Sequence, residues 1–114
     1  MSKTLNKVTF IGFIHNNPTI SYLANGKQVA TFLLKTYSLS QVDSTGGYVM
    51  AYDLHRCIVW NDVCKSMESD IVDKHFVYVS GRLKYREVHD KKRNSTYQAA
   101  EIQCDDFKLL AKPK

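Results

Sequence analysis

The sequence predicts an all-β closed barrel of five strands with one α-helix between the third and fourth. Two observations carry this expectation. Runs of alternating apolar and polar residues, separated by turn signals, fill most of the 114 residues, and the period changes to a helical one once, after residue 61. Closing the sheet into a barrel is the economical way to bury such a pattern, because closure removes the unpaired edges.

The elements follow in order. Val8 to Ile14 is a β-rich apolar run that Asn16-Asn17-Pro18 should break. Asn25-Gly26 predicts a hairpin turn between Thr19–Leu23 and Gln28–Tyr37. In the second run Ala30, Phe32 and Leu34 share one face and read as core. Gln41 to Gly47 is polar, ends in Gly46-Gly47 and reads as a loop. Tyr48 to Trp60 is a long strand with Leu54, Arg56, Ile58 and Trp60 on one face. His55, Cys57 and Val59 lie on the other. Cys64, Met67 and Ile71 then recur at helical spacing, so a helix is expected from an Asp62 N-cap to about Lys74. Strands resume at Phe76–Val88, turn through Asp90–Ser95 and finish at Thr96–Leu110.

Composition bounds the function. A hydrophobic share of 44% with 24% charged residues is that of a folded globular chain rather than a disordered one. One domain is expected over residues 1–111, followed by a short basic end at 112–114. No apolar run approaches the roughly 20 residues of a membrane span, and the start does not read as a signal peptide. Cys57, Cys64 and Cys104 form no C-x-x-C pair and no disulfide framework, which suits a reducing cytoplasm. The formal charge of +5 suits a polyanionic partner.

Ser80-Gly81-Arg82-Leu83-Lys84-Tyr85-Arg86 is the most informative stretch. On a strand Arg82, Lys84 and Arg86 project from one face, about 7 Å apart, while Leu83 and Tyr85 project from the other. That spacing roughly matches the phosphates of an extended single strand. Neighbouring strands can add flat rings on which bases stack. No enzyme reading competes. Asp105-Asp106 point to opposite faces of a strand, and Asp43, Asp53 and Asp62 lie in separate elements, so no carboxylate cluster holds metal ions. His15, His55, His75 and His89 have no metal-ligand spacing with the cysteines, and no cofactor motif is present.

The order of strands and helix is that of an OB-fold, a five-stranded Greek-key barrel whose face commonly binds oligonucleotides. Several motifs also resemble the bacterial-type single-stranded DNA-binding proteins: Leu5-Asn6-Lys7-Val8 with Ile11-Gly12, Tyr22 with Asn25-Gly26, and Val29-Ala30-Thr31-Phe32. His55-Arg56-Cys57-Ile58-Val59-Trp60 and Val77-Tyr78-Val79-Ser80-Gly81-Arg82-Leu83 continue the likeness in matching order, over roughly residues 5 to 110.

The resemblance implies sequence-nonspecific binding and protection of single-stranded DNA in replication, recombination and repair, by a cytoplasmic, nucleoid-associated homotetramer. A dimer is the alternative assembly. Lys7, Arg56, Lys84 and Arg86 match basic positions that face DNA, and Arg82 continues the stripe. Trp60 matches an aromatic stacking position. Where the family usually has a tryptophan before the His-Arg pair this chain has Leu54, and Val88 stands where another aromatic is common. Lys35, Tyr22 and Tyr37 complete the candidate DNA-binding set. Leu5, His55, Phe76 and Tyr78 match positions at or near subunit contacts. A stacked base is worth about 1–3 kcal/mol, so the missing rings predict binding that leans on phosphate contacts and falls steeply with salt.

Two other expectations concern partners. The chain ends Leu110-Ala111-Lys112-Pro113-Lys114, without the acidic tip through which the family recruits repair enzymes, so such recruitment is not expected of it. The runner-up function is an OB-fold assembly module of a replication or primosome-type complex with weak nucleic-acid binding. RNA remains a third ligand, since stacking and phosphate contacts serve either polymer.

Overall fold

The computed structural model describes residues 3–42, 44–61 and 74–112. Five strands, β1 (Val8–Tyr22), β2 (Gln28–Val42), β3 (Tyr48–Trp60), β4 (Phe76–Asp90) and β5 (Ser95–Ala111), close into a barrel in the order β1-β2-β3-β5-β4. All neighbours are antiparallel except β3 and β5, which run parallel through Cys57↔Ile102 and Ile58↔Gln103. This is the expected OB-fold barrel. The helix expected from Asp62 to about Lys74 falls largely on residues 62–73, outside the described residues.

Alternation fills the interior. Ala30, Phe32 and Leu34 of β2, Cys57 and Val59 of β3, Val77 and Val79 of β4 and Ile102 and Cys104 of β5 are buried around Ile14. Val8, Phe10, Ile20, Leu83 and Phe107, partly buried, pack against this core. Cys57 and Cys104 are free thiols in this core. Contact with Cys104, then burial, pushes the Cys57 thiol far above the ordinary range, so it stays protonated.

Three boundaries differ from the sequence expectation. Asn16-Asn17-Pro18 does not end a strand: β1 runs through it as a bulge, its register with β2 shifting between His15 and Thr19. Asn16 takes a positive φ of 66°, which Asn tolerates, and a bulge accommodates Pro18, which has no N–H for the ladder. Gln41 and Val42 belong to β2 rather than to a loop, because the β2–β3 ladder continues to Val42↔Tyr48. The β4–β5 ladder likewise extends to Asp90↔Ser95. Its turn is tied by the Asp90 carboxylate, which accepts the Lys92 and Arg93 backbone N–H groups at 3.0 and 3.4 Å.

The Asn25-Gly26 turn forms as expected. Gly26 has φ 85°, its N–H donates to the Leu23 carbonyl at 2.9 Å, and Asn25 Oδ1 accepts the Lys27 N–H at 3.1 Å.

The β2–β3 and β4–β5 hairpins outrun the barrel. Residues 48–54 and 84–87 are exposed on both faces, so Tyr85, expected opposite the basic stripe, points to solvent rather than to core. Gly81 makes the closure at the other end of β4 possible. A Cβ there would run into the Gln103 carbonyl and lie 2.8 Å from Cys104 Cα, just where the β4–β5 register shifts.

Candidate nucleic-acid interface

The outer face of β3, β5 and β4 collects the basic residues in rows set by strand register. The parallel β3–β5 pairing puts Arg56 beside Glu101 and Ile58 beside Gln103. The β4–β5 ladder puts Lys84 opposite Glu101 and Arg82 opposite Gln103. Arg56 Nε donates to Glu101 Oε2 at 2.8 Å and Arg86 Nε donates to Oε1 at 2.9 Å. A groove of about 430 Å³ lies over these rows, lined by Ile58, Trp60, Lys84, Arg86, Glu101 and Gln103. Trp60 forms its aromatic wall with 37% of its surface exposed, so its ring is accessible rather than spent on the core. A smaller hollow of about 160 Å³, walled by the β1 bulge with Leu33, continues on the far side of Arg56.

This arrangement unites Arg56, Trp60, Lys84 and Arg86, as the sequence suggested. Arg82 continues the row, its Nε 3.9 Å from Asp105 Oδ2. Lys7 is exposed on the segment before β1. That segment is held by Asn6, whose side chain donates to the Leu83 carbonyl at 2.8 Å and accepts the Leu83 N–H at 3.0 Å.

Lys35, Tyr37 and Leu54 lie elsewhere, on an outer patch running over β4, β1, β2 and β3. There Phe76 meets Phe13 at 4.8 Å between ring centroids, Phe13 meets Tyr37 edge-on at 6.2 Å, and Tyr37 meets Tyr52 at 6.3 Å. Lys35 Nζ sits 4.6 Å from the Tyr52 ring centroid, a cation–π contact. Tyr22 is exposed beside the β1–β2 turn, and Val88 is half-buried in the β4–β5 hairpin opposite Tyr97. Neither lines the groove.

The residues matched to subunit contacts are spread over two surfaces. Leu5 is exposed; Phe76 and Tyr78 are half-buried on the outside of β4, where Lys108 Nζ lies 5.9 Å from the Tyr78 ring. His55 turns inward, bonded to Thr36 Oγ1 at 2.8 Å and stacked on Phe10 at 4.1 Å. Burial lowers its pKa below the usual histidine value, against a smaller opposing pull from Asp53.

Sequence reasoning missed Glu101, Asn6 and Phe13 as organisers of these surfaces. Glu101 carried one signal: a lone acid at a position where strand alternation demands the face of the basic stripe. Among the described residues, no group of three or more His, Cys, Asp or Glu could hold a metal ion. No helix among them is long and apolar enough to cross a membrane.

A five-stranded OB barrel with a basic, partly aromatic groove defines a class of nucleic-acid-binding module. Comparison with known proteins narrows it. The family model described as "Single-strand binding protein family" matches residues 5–110, and the chain belongs to that family. It is 33% identical over 110 residues to single-stranded DNA-binding protein 1 of Chlorobaculum tepidum, covering 96% of this chain and 67% of that one. It is 24% identical over 109 residues to the single-stranded DNA-binding protein of Enterococcus faecalis, of which it spans 54%, with 93% of this chain covered. The structure also resembles the Plasmodium falciparum SSB in its complex with ssDNA: TM-score 0.82, 29% identity, 96% of this chain and 98% of the other.

Proposed function

We propose that this protein coats single-stranded DNA with little sequence preference, protecting it during replication, recombination and repair. That Trp60, Lys84 and Arg86 line one groove, with Arg56 tied to its edge through Glu101, carries this reading. Arginine and lysine hold phosphates, while the tryptophan face accepts any base, because every base has a π-face. With one tryptophan in the groove, phosphate contacts supply most of the affinity, and binding weakens as salt competes for them.

The likeness to the Plasmodium falciparum SSB–ssDNA complex supports single-stranded DNA as the ligand. The family supports a homotetramer, or a dimer, in a cytoplasmic, nucleoid-associated setting without catalytic activity. Exposed Ile11 and Phe13, with Phe76 and Tyr78, are suited to the subunit contacts.

The test is titration with oligo-dT while following the fluorescence of Trp60, the single tryptophan of the chain. Strong quenching that duplex DNA does not reverse is expected, and Trp60→Ala should weaken binding by about 1–3 kcal/mol. No binding at low salt would sink the reading.

A further inference from the structure

Glu101 is only 4% exposed, although it lies beneath a groove rich in cations. Each of its oxygens is engaged by a different arginine, Arg56 from β3 and Arg86 from β4, and Lys84 faces it across the ladder. Both arginines are gripped at Nε. Such a grip orients a long, rotamer-rich side chain while leaving its two terminal nitrogens, which suit bidentate phosphate contacts, on the exposed end. The arginine side chains are 45% and 52% exposed, so those ends reach solvent. The carboxylate also cancels one of the three positive charges around it.

We propose that Glu101 is the positioning residue of the groove. It is an internal counter-anion that holds Arg56 and Arg86 ready for phosphate and limits how strongly the groove grips. Bound phosphates dock on the outward guanidinium nitrogens and leave the carboxylate in place, because displacing it would strand a buried charge without partners. The phosphate-binding part rests on the single-strand-binding reading above.

The experiment compares oligo-dT affinity of the wild type, Glu101→Gln and Glu101→Asp across salt concentration. Removing the negative charge exposes one more uncompensated cation to DNA. Glu101→Gln should then bind more tightly at low salt and lose that advantage by about threefold over a fourfold rise in salt, one added unit of phosphate contact. Glu101→Asp keeps the charge and should keep the wild-type salt slope. A Glu101→Gln slope equal to wild type overturns the proposal while leaving single-strand binding intact; a wild type that fails to bind oligo-dT overturns both.

A second measurement needs no substitution. The Nε–H resonances of Arg56 and Arg86 should stay protected from exchange in free and DNA-bound protein. Loss of that protection on binding would mean that phosphate displaces the carboxylate, contrary to the proposal.

Discussion

The groove over β3, β5 and β4 and the patch running over β4, β1, β2 and β3 are outer faces of the same barrel, formed by the same alternation. The groove is cationic with a single tryptophan, and its cations are ordered around one buried carboxylate. The patch is a file of four rings, Phe76, Phe13, Tyr37 and Tyr52, with Lys35 over the last. One surface is organised by charge, the other by ring contacts. The contrast explains how a chain with Leu54 and Val88 at two usual aromatic positions still presents exposed rings. Tyr37 and Tyr52 sit directly opposite each other, two residues along the ladder from Leu54.

Salt should separate the two faces most clearly. Replacing Arg56 and Arg86 by Gln, with Glu101→Gln so that no buried charge is orphaned, should weaken oligo-dT binding by about 3 kcal/mol. The same change should flatten the salt exponent by about 0.7, a net loss of one phosphate contact, because two cations and the carboxylate that offsets one of them go together. An unchanged exponent would place the phosphates elsewhere.

Gly81→Ala should strike both faces at once, since it acts on the shared closure of β4 on β5. A loss of about 1–3 kcal/mol of stability is expected, read as a lower melting temperature. A neutral effect would mean that the register shift at Ser80/Gly81 relaxes easily.

Tyr37→Ala with Tyr52→Ala should weaken oligo-dT binding by about 1 kcal/mol per ring, the low end for stacking, without moving the salt exponent. If affinity holds and the oligomer dissociates instead, the patch is a subunit contact along its whole length.

The smallest effect concerns His55, beside the patch at the mouth of the barrel. Its folded pKa lies below the ordinary 6.5, so the unfolded chain binds the proton more readily. Its contribution is therefore complete above about pH 6.5 and declines as pH falls toward the folded pKa. The melting temperature should drop between pH 7.5 and 5.5, and His55→Gln should shrink that drop. An identical drop in the variant would assign the dependence to other groups.

Much of the fold was legible because alternation is a local signal. Ala30, Phe32 and Leu34 could be read as core, and Arg56 and Trp60 as sharing a face, from period alone. The Asn16–Pro18 bulge was misread as a break, since local turn chemistry carries no information about the β2 partner that keeps the strand paired through it. That Tyr85 is exposed on the face opposite the stripe could not be read from alternation, which does not reveal where a hairpin leaves the barrel.

Residue order by itself determined an all-β barrel of five strands, its core face and its basic stripe, since side-chain direction along a strand follows from backbone geometry. Tertiary structure decided which residues became neighbours. The parallel pairing of β3 with β5 brought Glu101 between Arg56 and Arg86, 45 residues from the first and 15 from the second. Closure of β1 on β4 and β2 joined Phe13 to Phe76 and Tyr37. Those contacts depend on register between distant strands, a property of the folded sheet that no single segment encodes.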